Sequence, residues 1–85
     1  MERRCKLAPS LLEADYRFLD EQLKEMERAG ADCVHIDVMD GTFVPNLSFG
    51  MKMIQSIRRS TRLEFDVHMM VQEPHRFMER MIKAG

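Results

Sequence analysis

At 85 residues, with 13 Lys and Arg against 14 Asp and Glu and a formal charge of -1, this is a small, nearly neutral chain of 45% hydrophobic residues. Its interspersed charges argue against a nucleic-acid partner, no apolar run approaches the roughly 18 residues of a membrane span, and the opening MERRCKLAPSLL lacks the apolar core of a signal peptide. Two cysteines, Cys5 and Cys33, are too few for a disulfide framework and form no CxxC pair, so reduced thiols and a cytoplasmic setting are expected.

In chain order, Arg3, Arg4 and Lys6 read as a solvated start. Residues 6–10 (KLAPS) read as a short, edge-like first strand stopped by Pro9. Asp15 offers an N-cap to a helix running YRFLDEQLKEMERA, whose Phe18, Leu19, Leu23 and Met26 fall at helical spacing, and Gly30 is its stop. Residues 33–39 are rich in β-branched side chains and predict a second strand, after which the turn formers of DGTFVPNLSFG predict a loop. A helix near residues 50–59 turns Met53, Ile54 and Ile57 inward, and residues 63–69 form a third strand. Pro74 then opens a third helix striped with Phe77, Met78, Met81 and Ile82. The order β-α-β-α-β-α with short joints implies a parallel sheet. The first helix ends EMERAG and feeds a strand, whereas RMIKAG ends the sequence, an echo that predicts the start of a longer repeating βα protein.

Side chains alternate along a strand. In the second strand Val34, Ile36 and Val38 lie opposite Cys33, His35, Asp37 and Met39. In the third, Leu63, Phe65, Val67 and Met69 lie opposite Glu64, Asp66, His68 and Met70. Helices must cover the apolar faces, which leaves His35, Asp37 and His68 on the helix-free side, near the carboxyl ends of their strands. A doubly wound sheet is covered on both faces and reads as continuous apolar runs. One polar face in both strands instead fits the inside of a closed barrel; in a (β/α)8 TIM barrel, an α/β fold, the site lies at the carboxyl ends of the strands. Ser10, directly after the first strand, joins that rim.

Buried charge is costly unless it is paired, hydrogen-bonded or bound to a metal. Two histidines and an aspartate converging from neighbouring strands suit a divalent metal ion, and zinc, iron, cobalt and manganese all accept this donor set. A lone histidine on a strand is more often a hydrogen-bonded structural residue; three such groups at matching strand ends favour a site. Cys33, about 13 Å below Asp37 at strand rise, is too deep to join them and reads as interior packing. His75 reads as solvent-facing, Asp40 with Gly41 as a turn, and Met39 and Met70 as packing beside the site.

KLAPSLLEADY, AGADCVHIDVMDGTFVPNLSFG and DVHMMVQEP closely resemble the ribulose-phosphate 3-epimerase family, and HIDVMDGxFVPN is a specific signature of it. The resemblance covers essentially the whole chain and implies the first three βα units of a (β/α)8 barrel. It implies that Ser10 contacts substrate, that His35, Asp37 and His68 bind the metal, and that Asp37 is the catalytic base. His68 would also touch the substrate, with Met39 and Met70 lining the pocket beside the reacting carbons. The implied reaction interconverts D-ribulose 5-phosphate and D-xylulose 5-phosphate by inverting carbon 3, whose proton lies next to a ketone. A cation near that ketone would stabilise the charge that develops and keep Asp37 ionised.

In the family the second acid comes from a later strand, and barrels commonly grip phosphate after strands seven and eight. The isolated chain is therefore expected to be inactive. The expected partners are a small sugar phosphate and, at full length, further copies of the protein in a homo-oligomer, with no nucleic acid and no membrane. An epimerase of another ketose phosphate, such as allulose 6-phosphate, and a non-catalytic metal-binding or assembly module are the alternative readings.

Overall fold

Residues 7–10 lie alongside the central strand without building a ladder of their own in the computed structural model, which describes residues 5–85. Leu7 O accepts from Asp32 N and Pro9 O from His35 N, both at 2.9 Å, and Ser10 makes a single parallel bridge to His35. The expected first strand is thus reduced to one bridge. Pro9 has no N–H to return, and the Leu7 N–H is taken by the Asp32 carboxylate at 2.6 Å. Arg3 and Arg4 of the expected solvated start fall outside the described residues, and Lys6 is exposed.

Two capped 3-10 turns follow. Ser10 Oγ accepts from Leu12 N at 3.3 Å at the head of Leu11–Glu13, and Asp15 Oδ1 accepts from Arg17 N at 3.1 Å at the head of Tyr16–Phe18. Helix α1 (Leu19–Arg28) then begins later than the apolar spacing predicts, because its first turn is wound as 3-10. Leu23 is fully buried, and Leu19 and Met26 pack on the core. Phe18, on the tighter turn and out of α-helical step, stays 49% exposed. Gly30 ends the helix region at φ +90°, a left-handed conformation that glycine adopts without a Cβ penalty.

Strand β1 (Cys33–Asp40) is central. It pairs in parallel with β3 (Glu64–Met70) and antiparallel with β2 (Leu47–Ser48), giving the order β2-β1-β3. Strand β2 lies in the stretch read as loop; two residues are too few for an alternation to register in sequence. Its hairpin is set by Gly41 at φ +84° and by Asp40, whose carboxylate accepts from Thr42 N at 2.9 Å on one oxygen and from Gln72 N at 2.9 Å on the other. The expected Asp40–Gly41 turn is present, and it also ties down the exit of β3.

Helices α2 (Met51–Ile57) and α3 (Met78–Ala84) contribute Ile54, Ile57, Met81 and Ala84 to one cluster with Val34, Ile36, Val38, Leu11 and Leu23. All three helices therefore pack on the apolar face of β1. The α3 stripe is only half covered: Met81 is buried, whereas Met78 and Ile82 are 51% and 73% exposed. Among the described residues β3 is one of the two outer strands, and an open apolar groove of about 340 Å³ lies between it and α3, lined in part by Phe65, Val67, Met69 and Ile82. Glu27 clamps the end of α1 to the approach of β3, accepting from Thr61 Oγ1 at 2.5 Å and Arg62 N at 2.8 Å. Cys5 and Cys33 are free thiols, and among the described residues no helix is long and apolar enough to cross a membrane.

Candidate metal centre

The alternation of β1 turns Val34, Ile36 and Val38 into the core and sends His35 and Asp37 to the opposite side. Parallel register with β3 then sets His68 directly beside Asp37 and Asp66 directly beside His35. His35 Nε2 lies 2.9 Å from Asp37 Oδ1, and His68 Nδ1 lies 3.2 Å from the same oxygen. The two imidazole centroids are 5.9 Å apart. Side-chain exposure is 16% for Asp37, 28% for His35 and 59% for His68, so the carboxylate sits deepest with the histidines above it.

His35 has a second partner. Asp66 Oδ2 lies 3.1 Å from its Nδ1. The Asp66 carboxylate first, and Asp37 second, raise the imidazole of His35 above its usual protonation range, outweighing the opposing effect of burial. Behind the site Ser48 Oγ donates to the Asp37 carbonyl at 2.6 Å, so the short strand β2 holds the backbone from which the carboxylate projects.

The donor set fits a divalent cation. One ligand atom from each of His35, Asp37 and His68 can be chosen so that all lie within 4.8 Å of one another. Metal–ligand bonds of about 2.0–2.2 Å put tetrahedral ligand atoms about 3.4 Å apart, so the 2.9 and 3.2 Å contacts need open by a few tenths of an ångström, while any pair near the 4.8 Å limit of the group must close around the ion. Two imidazole nitrogens and one carboxylate oxygen also leave coordination positions for other oxygen donors.

The other residues expected at the rim fall around this group. Ser10 bridges to His35, with its Oγ accepting from Leu12 N. Met39 and Met70 are register partners one step beyond the Asp37–His68 pair, Met39 being 6% exposed and Met70 half-buried. Cys33 lies at the other end of β1, opposite Glu64, and His75 is exposed on the 3-10 turn before α3. Sequence reasoning put Asp66 on the polar face without giving it a role, and it missed Ser48. The signal for Asp66 was available: aligning the two alternating strands so that Asp37 meets His68 forces Asp66 opposite His35.

The ribulose-phosphate 3 epimerase family model matches residues 6–85. The ribulose-phosphate 3-epimerase of Bacillus subtilis (strain 168) is 49% identical over 80 residues, 94% of this chain and 37% of that protein. That of Treponema pallidum (strain Nichols) is 52% identical over 85 residues, 100% of this chain and 39% of that protein. A protein of Oryza sativa subsp. japonica named ribulose-phosphate 3-epimerase, cytoplasmic isoform, is 46% identical over 81 residues, 95% of this chain and 36% of that protein. The chain thus spans less than two-fifths of the length of these relatives.

Proposed function

The chain belongs to the ribulose-phosphate 3-epimerase family, and we propose that it carries the metal-binding and proton-abstracting half of a site that interconverts D-ribulose 5-phosphate and D-xylulose 5-phosphate. The observation that supports this reading is the convergence of His35 Nε2 and His68 Nδ1 on Asp37 Oδ1 at the carboxyl ends of β1 and β3. In this reading the chain is the N-terminal (βα)3 portion of a TIM barrel, and the full-length protein is a cytoplasmic homo-oligomer acting on a soluble sugar phosphate.

His35, Asp37 and His68 would hold the divalent cation, be it zinc, iron, cobalt or manganese. When bound, that cation supplies positive charge beside the substrate ketone and so favours loss of the neighbouring C3 proton. Asp37 is the base. Both imidazoles meet its Oδ1, which leaves Oδ2 to take the proton. His68, the most exposed of the three, reaches furthest toward substrate. Ser10 uses its oxygen to cap the 3-10 turn, so its O–H is the part that donates to a substrate oxygen. Met39 and Met70 form an apolar wall that keeps water from the carbanionic carbon without offering a competing proton.

Inversion also needs a proton delivered to the opposite face of the flattened carbon. In this reading that acid and the phosphate grip come from later strands of the barrel, and the isolated chain is expected to turn over negligibly. A chimera in which residues 6–85 replace the matched stretch of the Bacillus subtilis relative tests the reading. It should epimerise D-ribulose 5-phosphate and exchange the C3 proton with deuterated solvent, and Asp37→Asn should abolish both. A folded, metal-loaded chimera without turnover, or one whose exchange survives Asp37→Asn, would overturn it.

A further inference from the structure

Asp66 has no part in the mechanism above, yet its position is specific. It faces His35 across the parallel ladder, and its Oδ2 lies 3.1 Å from His35 Nδ1 while His35 Nε2 lies 2.9 Å from Asp37 Oδ1. An imidazole has two nitrogens, and the partner of one decides what the other presents. A ring held at neither end can turn about its χ angles and offer either nitrogen, or none, to the site. A carboxylate on Nδ1 keeps the proton there and aims the Nε2 lone pair inward.

We propose that Asp66 is the positioning residue of the metal centre, gripping His35 at Nδ1 so that Nε2 is the nitrogen offered to a divalent cation. The inference rests on the reading of His35, Asp37 and His68 as ligands and adds a fourth residue that acts through one of them. Asp66 is not itself in the ligand group: the mutually close ligand atoms belong to the other three residues, and its oxygen meets the ring from the Nδ1 side. Its side chain is 62% exposed, so taking the carboxylate away removes little packing. A carboxylate behind a ligating imidazole fixes its tautomer and raises its basicity, and losing such a partner typically weakens metal binding about 10- to 100-fold. The solvent exposure of Asp66 places the expected loss near the lower end of that range.

The test is titration of cobalt(II) chloride into the parent chain and its variants, read by calorimetry and by the visible ligand-field absorption, with far-ultraviolet circular dichroism as the control for folding. Asp66→Ala should weaken binding about tenfold and change the absorption band. Asp66→Asn, which keeps an acceptor oxygen at the same reach, should recover part of both. Glu64→Ala removes the same charge from the same face two residues earlier on the strand and should leave both unchanged. If Asp66→Ala does not fold, Asp66→Ser, too short to reach Nδ1, takes its place. Parent-like affinity and spectrum in the short variant overturn the inference, as does an equal loss in Glu64→Ala, which would reduce the effect to charge alone. A parent chain that takes up no cobalt, or a His68→Ala variant that binds as well as the parent, overturns the metal reading itself and this inference with it.

Discussion

Removing His68 should separate the metal centre from the fold that carries it. His68 is 59% exposed, and its contact with Asp37 spans 3.2 Å, so in metal-free buffer His68→Ala should lower stability by less than about 1 kcal/mol, the usual worth of an exposed pair. With zinc the two proteins should diverge. At a free zinc concentration one hundred times the dissociation constant, binding to the folded state stabilises the parent by about 2.7 kcal/mol. A domain of this size shifts its melting temperature by about 4–8 °C per kcal/mol, so the parent should gain about 10–20 °C. If losing one of three ligands weakens binding about a hundredfold, the variant at the same zinc concentration retains only about 0.4 kcal/mol, a gain of about 2–3 °C. Thermal unfolding followed by circular dichroism, with and without zinc, measures all four midpoints. A His68→Ala chain that keeps the full zinc-dependent gain would refute the assignment of His68 as a ligand.

Three further outcomes follow from the fold. Ile36, fully buried at the centre of β1, should cost about 2–5 kcal/mol when replaced by Ala, a large share of what so short a chain can hold, read as a lower urea midpoint at unchanged slope. Gly41→Ala forces a side chain into φ +84°, with its Cβ 3.4 Å from Leu47 Cδ2, and should cost about 1–2 kcal/mol by the same measurement. The backbone N–H groups of Gln72 and then Thr42 hold the Asp40 carboxyl below its usual range, so its contribution is present above the unfolded value of 3.8 and is lost as pH falls through the folded value. The melting-temperature gap between the parent and Asp40→Asn should therefore hold above the unfolded value of 3.8 and narrow as pH falls below it; a gap that stays constant would rule out the Asp40 linkage.

Much of the scaffold was legible because its signals are local. Gly30 stops the first helix where turn chemistry says it should, Asp15 caps the 3-10 turn ahead of α1 and not α1 itself, and the polar and apolar faces of VHIDVMD and EFDVHMM separate as a two-residue period requires. The misses share a different origin. Phe18 reads as core by its spacing but sits on a 3-10 turn, and Met78 and Ile82 complete a helical stripe that β3 and its neighbours cover only in part. Residues 6–10 have the composition of a strand, but Pro9 and the Asp32 carboxylate leave them one bridge. In each case the apolar pattern was right about chemistry, and the packing partner decided the burial.

The site divides the same way. Which side chains share a face follows from the pleat of a single strand, so His35, Asp37 and His68 could be grouped from sequence. Which atoms meet could not be read that way. The contacts of His35 with Asp66 and of His68 with Asp37 each join residues 31 positions apart, and they exist only because β1 and β3 pair in one register and not its neighbour. A slip of one residue would send His68 and Asp66 to the helix-covered side. The backbone period is a property of the chain alone; the register is chosen by the whole core packing beneath it, and with it the choice of Asp37 Oδ1 as the point where both histidines converge.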